Sequence, residues 1–197
     1  MIEGYTTLAH IPLKPDTPCH TPAGLAPLVH VDEPALRAMT DFRLVTPVTI
    51  EPHSNITHAL DKMKMTGVRL LFVPNRDDHI IGIITAKDIQ GERPVRLSQK
   101  SGILHGDISV EMIMTPLQEI MAVDIKSVNE SCIGHIVNTL HRLGRQHTLV
   151  VEVNQETGQH TIRGLFSTTQ ISKLLGQDIT NPEYAVHSFA EVQRELG

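Results

Sequence analysis

The sequence predicts an α/β protein built from two tandem copies of one small unit, each with the order strand, helix, strand, strand, helix. Two observations carry this prediction: a β-branched run followed by a helix cap at residues 80–89, and the return of the same pattern at residues 162–171. One such unit buries its faces poorly by itself. We therefore expect the two copies to pack against each other around a pseudo-twofold axis.

Composition and charge restrict the class of protein. The chain has 197 residues, of which 40% are hydrophobic and 20% charged, which is enough for a sizeable core. The net charge of -5 and the pI near 6.2 argue against a protein that mainly coats nucleic acid or an anionic membrane. Cys19 and Cys132 form neither a metal-ligand pair nor a disulfide framework, and no window approaches the roughly 20 apolar residues of a membrane span. We expect a cytoplasmic protein without nucleic-acid or membrane partners.

Proline-rich sequence precedes the first copy. Prolines break helices and remove ladder donors, so residues 1–36 are interpreted as an extended arm. This arm contains three histidines, His10, His20 and His30. Their spacing matches no metal-binding pattern, and we predict no metal site. At the end of the arm, Asp32 can cap a short helix over Pro34–Met39.

The first copy begins with a short extended segment over residues 44–52, whose prolines keep it out of the middle of a sheet. Ser54 can cap a helix with apolar residues at helical spacing, and Gly67 ends that helix in the left-handed conformation. Apolar runs at residues 70–73 and 80–85, separated by a polar turn, predict a hairpin.

A capped helix follows the hairpin. The Thr85 hydroxyl can accept from the backbone one turn on, and the Asp88 carboxylate can reach back to the start of the helix. Three basic residues come next, before Gly102, and are interpreted as a solvated loop: Arg93, Arg96 and Lys100.

The second half repeats this order without a gap as far as Val150. The aligned pairs are Ser131 with Ser54, Ile133 with Ile56, His135 with His58, Val137 with Leu60, Leu140 with Met63, Gly144 with Gly67, and Val150 with Val73. The hairpin turn is then five residues longer, from Glu152 to Thr161, as surface turns permit. After it, Gly164, Ser167 and Gln170 fall on Gly82, Thr85 and Asp88.

These alignments set the predicted boundaries. The first copy covers residues 37–108 and the second covers residues 109–178, with Met39-Thr40 and Met114-Thr115-Pro116 at corresponding places near their beginnings. Residues 179–197 form a tail, in which an amphipathic helix is predicted from Ser188 onward.

The pattern of a proline-flanked lead-in, a helix ended by glycine, an apolar hairpin and Gly82-Ile83-Ile84-Thr85-Ala86-Lys87-Asp88 resembles the cystathionine-β-synthase-type (CBS) domain. Two in tandem look like a stand-alone Bateman module, and the likeness covers about residues 37 to 178. The resemblance implies a regulatory module that binds an adenosine compound, such as AMP, ADP, ATP or S-adenosylmethionine, between its repeats. It also implies a homodimer that signals by conformational change to an unidentified protein partner and requires no cofactor.

The resemblance also implies which residues bind the ligand. Asp88 would accept hydrogen bonds from the ribose hydroxyls and Thr85 would contact phosphate or sugar, roles that suit an acceptor-only carboxylate and a helix start. The other residues of this first site would be Thr46, Val48, Val68, Arg69, Leu70 and Lys87. Basic groups near the end of the second repeat's helix, Arg142, Arg145 and His147, could face phosphates.

The second copy departs from the family pattern. Gln170 stands where the ribose-binding carboxylate would be, and a neutral amide is a poorer partner for a diol. We expect one competent site per chain, on Thr85 and Asp88, and a weak or empty second site on Ser167 and Gln170.

Two interpretations of these motifs stay open. Thr85 with Asp88, and Ser167 with Gln170, are also satisfactory helix caps without any ligand. The alternative function is therefore a ligand-free module for dimerisation and protein interaction. The sequence contains no nucleophile elbow, phosphate loop or zinc-protease motif, so we expect no enzyme.

Overall fold

The computed structural model describes residues 29–180, together with residues 9–12, 15 and 17. Most of the proline-rich arm, with His20 and Cys19, and the predicted helix from Ser188 lie outside the described residues. None of the described helices is long and apolar enough to cross a membrane.

The first repeat has the predicted order. Residues 48–50 run parallel to the next strand, because Ile50 N donates to Phe72 O at 2.8 Å and Phe72 N donates to Val48 O at 2.9 Å. The elements that follow are α1 Ile56–Thr66, β2 Leu70–Pro74, β3 Ile80–Thr85 and α2 Ala86–Gln90. The lead-in therefore lies at the edge of the sheet, where its prolines interrupt no ladder.

The second repeat has the same order with one more helix. Its elements are β5 Ala122–Asp124, α5 Ile125–Asn129, α6 Ile133–Arg142, β6 His147–Val153, β7 His160–Ser167 and α7 Thr168–Leu175. Strand β5 pairs with β6 in parallel, as residues 48–50 pair with β2. Two repeats of one α/β unit are thus confirmed.

The short leading segment ahead of each repeat pairs with the other repeat. Strand β1, Thr40–Asp41, lies near the start of the first repeat but pairs with Leu165 and Gly164 in β7. Strand β4, Thr115–Pro116, lies near the start of the second repeat but pairs with Ile83 and Gly82 in β3. The sheets are consequently ordered β1-β7-β6-β5 and β2-β3-β4. Each repeat is therefore completed by a strand that belongs, by position in the sequence, to the other repeat.

We call this pairing of each leading segment with the other repeat the exchange, and it extends beyond the strands. The backbone N–H of Ala35 donates to Ser131 O at 2.9 Å, and Ile133 N donates to Glu33 O at 2.9 Å. On the other side, Ile56 N donates to Ile108 O at 3.1 Å and Val110 N donates to Ser54 O at 2.8 Å. The core follows the same division, since Ala35 and Ala38 pack with the second repeat while Val110 and Ile113 pack with the first.

A third cluster joins the two repeats. Leu70, Phe72 and Ile83 from the first sheet pack against Leu149 of the second, and the rings of Phe42 and Phe72 meet edge to face at 5.3 Å. The apolar faces of the two sheets thus bury each other, as the small size of each unit requires.

Several local predictions need correction. Arg93, Arg96 and Lys100 lie on a helix, α3 Glu92–Ser101, and not in a loop. Pro94 in the first turn and Gly102 after the last turn are helix signals that the sequence interpretation did not use. A four-residue helix, α4 Val110–Ile113, completes the connection between the repeats.

The helix starts also differ from prediction. The N-caps of α1 and α6 are Asn55 and Cys132, one residue after the predicted Ser54 and Ser131. The Asn55 carboxamide oxygen accepts from Thr57 N at 2.6 Å, which a serine one position earlier does not do here. The predicted helix over Pro34–Met39 is a 3-10 helix, Ala35–Ala38, and begins after Pro34 and not after Asp32. The left-handed Gly67 at the end of α1 is confirmed, with φ of 70°.

The five-residue insertion in the second hairpin lengthens its strands more than its turn. Glu152 pairs with Thr161 and Val153 pairs with His160, so residues predicted as turn belong to the ladder. The connection between strands runs over residues 154–159, against 75–79 in the first hairpin. Added residues that alternate their side chains across a strand can extend it without disturbing its register.

Two glycines permit the exchanged strands to approach. A Cβ on Gly82 would lie 2.7 Å from Thr115 O, and a Cβ on Gly164 would lie 2.5 Å from Thr40 O. Neither oxygen can move freely, because both belong to the backbone. These equivalent glycines are therefore required by the close contact with the leading strand and not by an unusual dihedral angle.

We expect Gly82→Ala and Gly164→Ala each to lower the free energy of unfolding by about 1–3 kcal/mol, the usual cost of overpacking. Urea denaturation followed by circular dichroism measures this change. Gly106→Ala is the control, since a Cβ there meets no atom within 4 Å. A loss no larger than that of the control would show that the leading strands are not held by these contacts.

Candidate functional site

A cleft between the two repeats contains the Thr85–Asp88 motif. We call it cleft A; it is a cavity of about 310 Å3, lined by Thr85, Lys87, Asp88 and Arg93 on one side and by Glu119, Arg145 and His147 on the other. The first group comes from the end of β3 and the helices after it. The second comes from the lead-in and from the start of β6 in the second repeat.

A second cavity is lined by the equivalent elements with the two repeats interchanged. We call it cleft B; it has a volume of about 320 Å3 and is lined by Thr46, Val48, Val68 and Arg69 on one side and by Ser167, Gln170 and Lys173 on the other. Here the lead-in and strand start belong to the first repeat and the Ser-x-x-Gln motif to the second. Each cleft therefore combines the motif of one repeat with the lead-in of the other.

This geometry separates residues that the sequence interpretation grouped together. Thr85, Lys87 and Asp88 line cleft A, whereas Thr46, Val48, Val68 and Arg69 line cleft B. Local sequence could not show this, because the partner of each motif is decided by the packing of the repeats. The basic residues also differ: Arg145 and His147 line cleft A, and Arg142 lies exposed in neither cleft.

The helix cap at Thr85 and Asp88 is confirmed. Asp88 N donates to Thr85 Oγ1 at 3.2 Å, and Asp88 Oδ2 accepts from Thr85 N at 2.9 Å and from Thr85 Oγ1 at 2.7 Å. Within residues 29–180 the other oxygen, Oδ1, accepts no hydrogen bond; its nearest charged neighbour is Arg93 at 3.4 Å. One carboxylate oxygen thus fixes the helix start, and the other keeps its acceptor capacity.

The second repeat has only half of this arrangement. Gln170 N donates to Ser167 Oγ at 3.1 Å, but the Gln170 side chain makes no bond back to Ser167 among the described residues and is exposed. Cleft B also holds two basic side chains, Arg69 and Lys173, and no carboxylate in its described lining. It differs from cleft A in the group that would face a diol.

Leu70 and His147 separate the two clefts. They occupy equivalent positions, the first residues of β2 and β6, and both line both cavities. The pKa of His147 is lowered from 6.5 to about 4, chiefly by burial and then by the positive charge of Arg69, while the carboxylate of Asp88 opposes the shift. His147 is therefore neutral at pH 7 and offers a hydrogen bond there, not the positive charge that the sequence interpretation allowed for it.

Sequence reasoning missed several residues of cleft A. Arg93 Nη1 donates to Ile113 O at 3.0 Å and to Thr115 Oγ1 at 3.2 Å, which places its guanidinium in the cleft. Glu119 and Met121 reach the same cleft from the lead-in of the second repeat. Pro94 and Gly102 are sequence signals for helix α3, which carries Arg93. The direction of the Arg93 side chain, however, depends on its contact with Thr115 of the exchanged strand β4. No group of three metal-ligating side chains occurs among the described residues.

Comparison with known proteins finds a match to one family model. Residues 29–93 match the profile of the CBS domain. This part of the chain thus has the sequence pattern of a CBS domain. Because the second half repeats the same elements around a pseudo-twofold axis, the described fold is that of a CBS pair. No curated protein sequence matches this chain.

Solved structures are similar to this chain. An uncharacterized conserved protein from Pyrococcus horikoshii superposes with a TM-score of 0.51 and 23% identity, over 74% of this chain and 93% of that one. A CBS-domain-containing protein from Agrobacterium tumefaciens gives a TM-score of 0.47 and 20% identity, over 65% and 83%. The structure of CBSX2 in complex with AMP gives 0.47 and 15%, over 72% and 94%.

We expect His147 to make the stability of this CBS pair depend on pH. Between pH 6.5 and about 4 the unfolded chain binds a proton at His147 that the folded chain does not, so stability falls as the pH falls. The loss amounts to at most about 3 kcal/mol and ends below the folded pKa. Urea denaturation of wild type and His147→Gln at several pH values measures it.

The quantity to compare is the pH dependence of unfolding free energy in wild type and in His147→Gln, because other groups titrate in the same pH range. His147→Gln should lose less stability than wild type on going from pH 7 to pH 4.5. The control His58→Gln, at an exposed position of α1, should keep the wild-type profile. Identical profiles for wild type and His147→Gln would contradict the buried neutral state.

Proposed function

We propose that this CBS pair is a regulatory binding module for a small adenosine-containing ligand, held in cleft A, and that it signals the bound state by conformational change. The observation that carries the proposal is the Asp88 carboxylate, which lines a cleft formed by both repeats and whose Oδ1 accepts no hydrogen bond within residues 29–180. The adenosine class is what the family resemblance implies, and the chemistry of the cleft supports it.

The arrangement at Asp88 reconciles the cap and the ligand interpretations. Oδ2 is occupied by Thr85, so the cap holds the carboxylate in a fixed orientation. Oδ1 can then accept from vicinal hydroxyls without breaking the cap, since an ionised carboxylate has two acceptor sites on each oxygen. A side chain oriented before binding loses little freedom when the ligand arrives.

The size and walls of cleft A fit a small molecule. Its volume of about 310 Å3 lies at the lower end of the usual range for ligand pockets. Leu70, Ile83, Ile120 and Leu149 supply apolar surface for a base, and polar side chains from both repeats line the same cleft. This combination is the usual composition of a specific site.

The position of the cleft supports a regulatory role. Its walls belong to both repeats and include Thr115 of the exchanged strand β4. A ligand that contacts both walls favours whichever relative arrangement of the repeats fits it better. It shifts the equilibrium only by the difference between its affinities for the two arrangements.

Cleft B is proposed to bind nucleosides more weakly. Gln170 replaces the carboxylate, and its side chain is not held by a cap. A neutral amide must share a donor and an acceptor with the diol, so its hydrogen bonds are weaker than those of a carboxylate.

The alternative function, a ligand-free interaction module, is favoured by the exposed apolar side chains. Leu44 and Met65 are 82% and 87% exposed, and Leu143 near the end of α6 is 48% exposed. Isolated exposed apolar residues are common, so these side chains alone do not define an interface. Sedimentation equilibrium of the free chain tests homodimer formation, and a monomer at micromolar concentration would argue against this alternative.

We expect AMP, ATP or S-adenosylmethionine to bind at about one molecule per chain, with an affinity that falls at least about tenfold in Asp88→Gln, because hydrogen bonds to a charged group are lost. Isothermal titration calorimetry measures both quantities. Glutamine suits the fold at this position, as Gln170 shows in the second repeat.

Glu119→Gln is the matched control, because it removes a carboxylate of the same cleft outside the capping motif. It should leave the affinity unchanged or raise it slightly. The proposal fails if a folded wild-type chain binds none of the three compounds, or if both variants lose affinity equally.

A further inference from the structure

Arg93 is held inside cleft A by both repeats. It is the second residue of α3, directly after the Asp88-bearing helix α2. Nη1 donates to Ile113 O at 3.0 Å and to Thr115 Oγ1 at 3.2 Å, and it lies 3.4 Å from Asp88 Oδ1. These contacts fix the end of a long side chain that is otherwise half exposed.

The contacts leave most of the guanidinium available. All three involve the same nitrogen, and within residues 29–180 neither Nε nor Nη2 has a hydrogen-bond partner. A guanidinium carries five N–H donors in a planar arrangement that matches phosphate oxygens, and two of its edges can bind them in pairs. Arg93 is thus an oriented donor group with unused capacity.

The charges that line cleft A also favour an anionic ligand. Lys87, Arg93 and Arg145 line it with positive charge, against the carboxylates of Asp88 and Glu119. His147 adds no charge at pH 7, since its pKa is about 4. A concave site with more cations than anions attracts an anionic ligand.

The other arginine of α3 near this position behaves differently. Arg96 pairs with Glu92 one turn earlier on the same helix, and both side chains are 78% exposed. It does not line cleft A. The direction of Arg93 into the cleft is therefore specific to its position and not a general property of the basic residues of α3.

We propose that Arg93 is a specificity-determining residue of cleft A, which selects an adenosine ligand that carries a 5′-phosphate over one that carries an uncharged or thioether group there. The inference rests on the proposed function of the cleft and narrows its ligand class. Asp88 would bind the hydroxyls, and the neighbouring Arg93 would bind the phosphate.

The competing explanation is that Arg93 only fastens α3 to β4. A fastening residue would affect every ligand of the cleft alike, because it would act through the shape of the site. A phosphate-binding residue would affect only ligands that carry the phosphate. The comparison of two ligands therefore separates the explanations.

The experiment is calorimetric titration of wild type, Arg93→Ala and Arg93→Lys with AMP and with 5′-methylthioadenosine. In Arg93→Ala we expect AMP affinity to fall about 10–100-fold, the range for a charge-assisted hydrogen bond, and 5′-methylthioadenosine affinity to change less than about twofold. Arg93→Lys should recover part of the AMP affinity, because it keeps the charge without the planar donor pair. The control Arg96→Ala should change neither affinity.

Binding of 5′-methylthioadenosine also shows whether each variant retains a folded cleft. Equal weakening of both ligands in Arg93→Ala and Arg93→Lys would overturn the inference and leave the fastening role, as would unchanged AMP affinity in Arg93→Ala. If the folded wild type binds neither compound, the proposed function of cleft A fails and this inference with it.

Discussion

The close contact between each exchanged strand and a glycine of the opposite repeat determines the rest of the architecture. Thr115 O and Thr40 O occupy space that a Cβ would need at Gly82 and Gly164. With these contacts made, the leading segments complete the sheets and the small cores of both repeats. The ion pair of the poorly exposed Arg163 and Asp41 on one side, and the hydrogen bonds of Arg93 on the other, hold the same segments.

The site follows from this arrangement. Because the repeats are interlocked, the motif at the end of one hairpin faces the lead-in of the other repeat, and two clefts result. The clefts share a backbone plan but differ in chemistry. Cleft A has a carboxylate fixed by a reciprocal cap, whereas cleft B has an exposed amide and two basic residues. A duplicated fold has in this way produced two sites of unequal chemistry.

Local sequence was sufficient for the repeat, the hairpins and the cap at Thr85, because each depends on residues close together in the chain. It was insufficient for the exchange of leading strands, since Thr40 and Thr115 meet their partners only through long-range packing. The composition of the clefts was missed for the same reason, and Arg69 was assigned beside Asp88 although it lines the other cleft. The pKa of His147 depends on burial and on charges from both clefts, which no sequence window contains.

Because of the exchange, a repeat that is contiguous in the sequence does not contain all the residues of the sheet and core that it forms. A fragment that ends at residue 108 would keep the glycine surface of β3 but lose Val110 and Ile113, which belong to its own core. It would also retain Thr40 and Asp41 without the strand that they pair with. Proteolytic cleavage in the connection between the repeats would leave two pieces that complement each other, each holding the missing part of the other. Truncation of either half should therefore destabilise the half that remains, because it removes a strand and core residues from it.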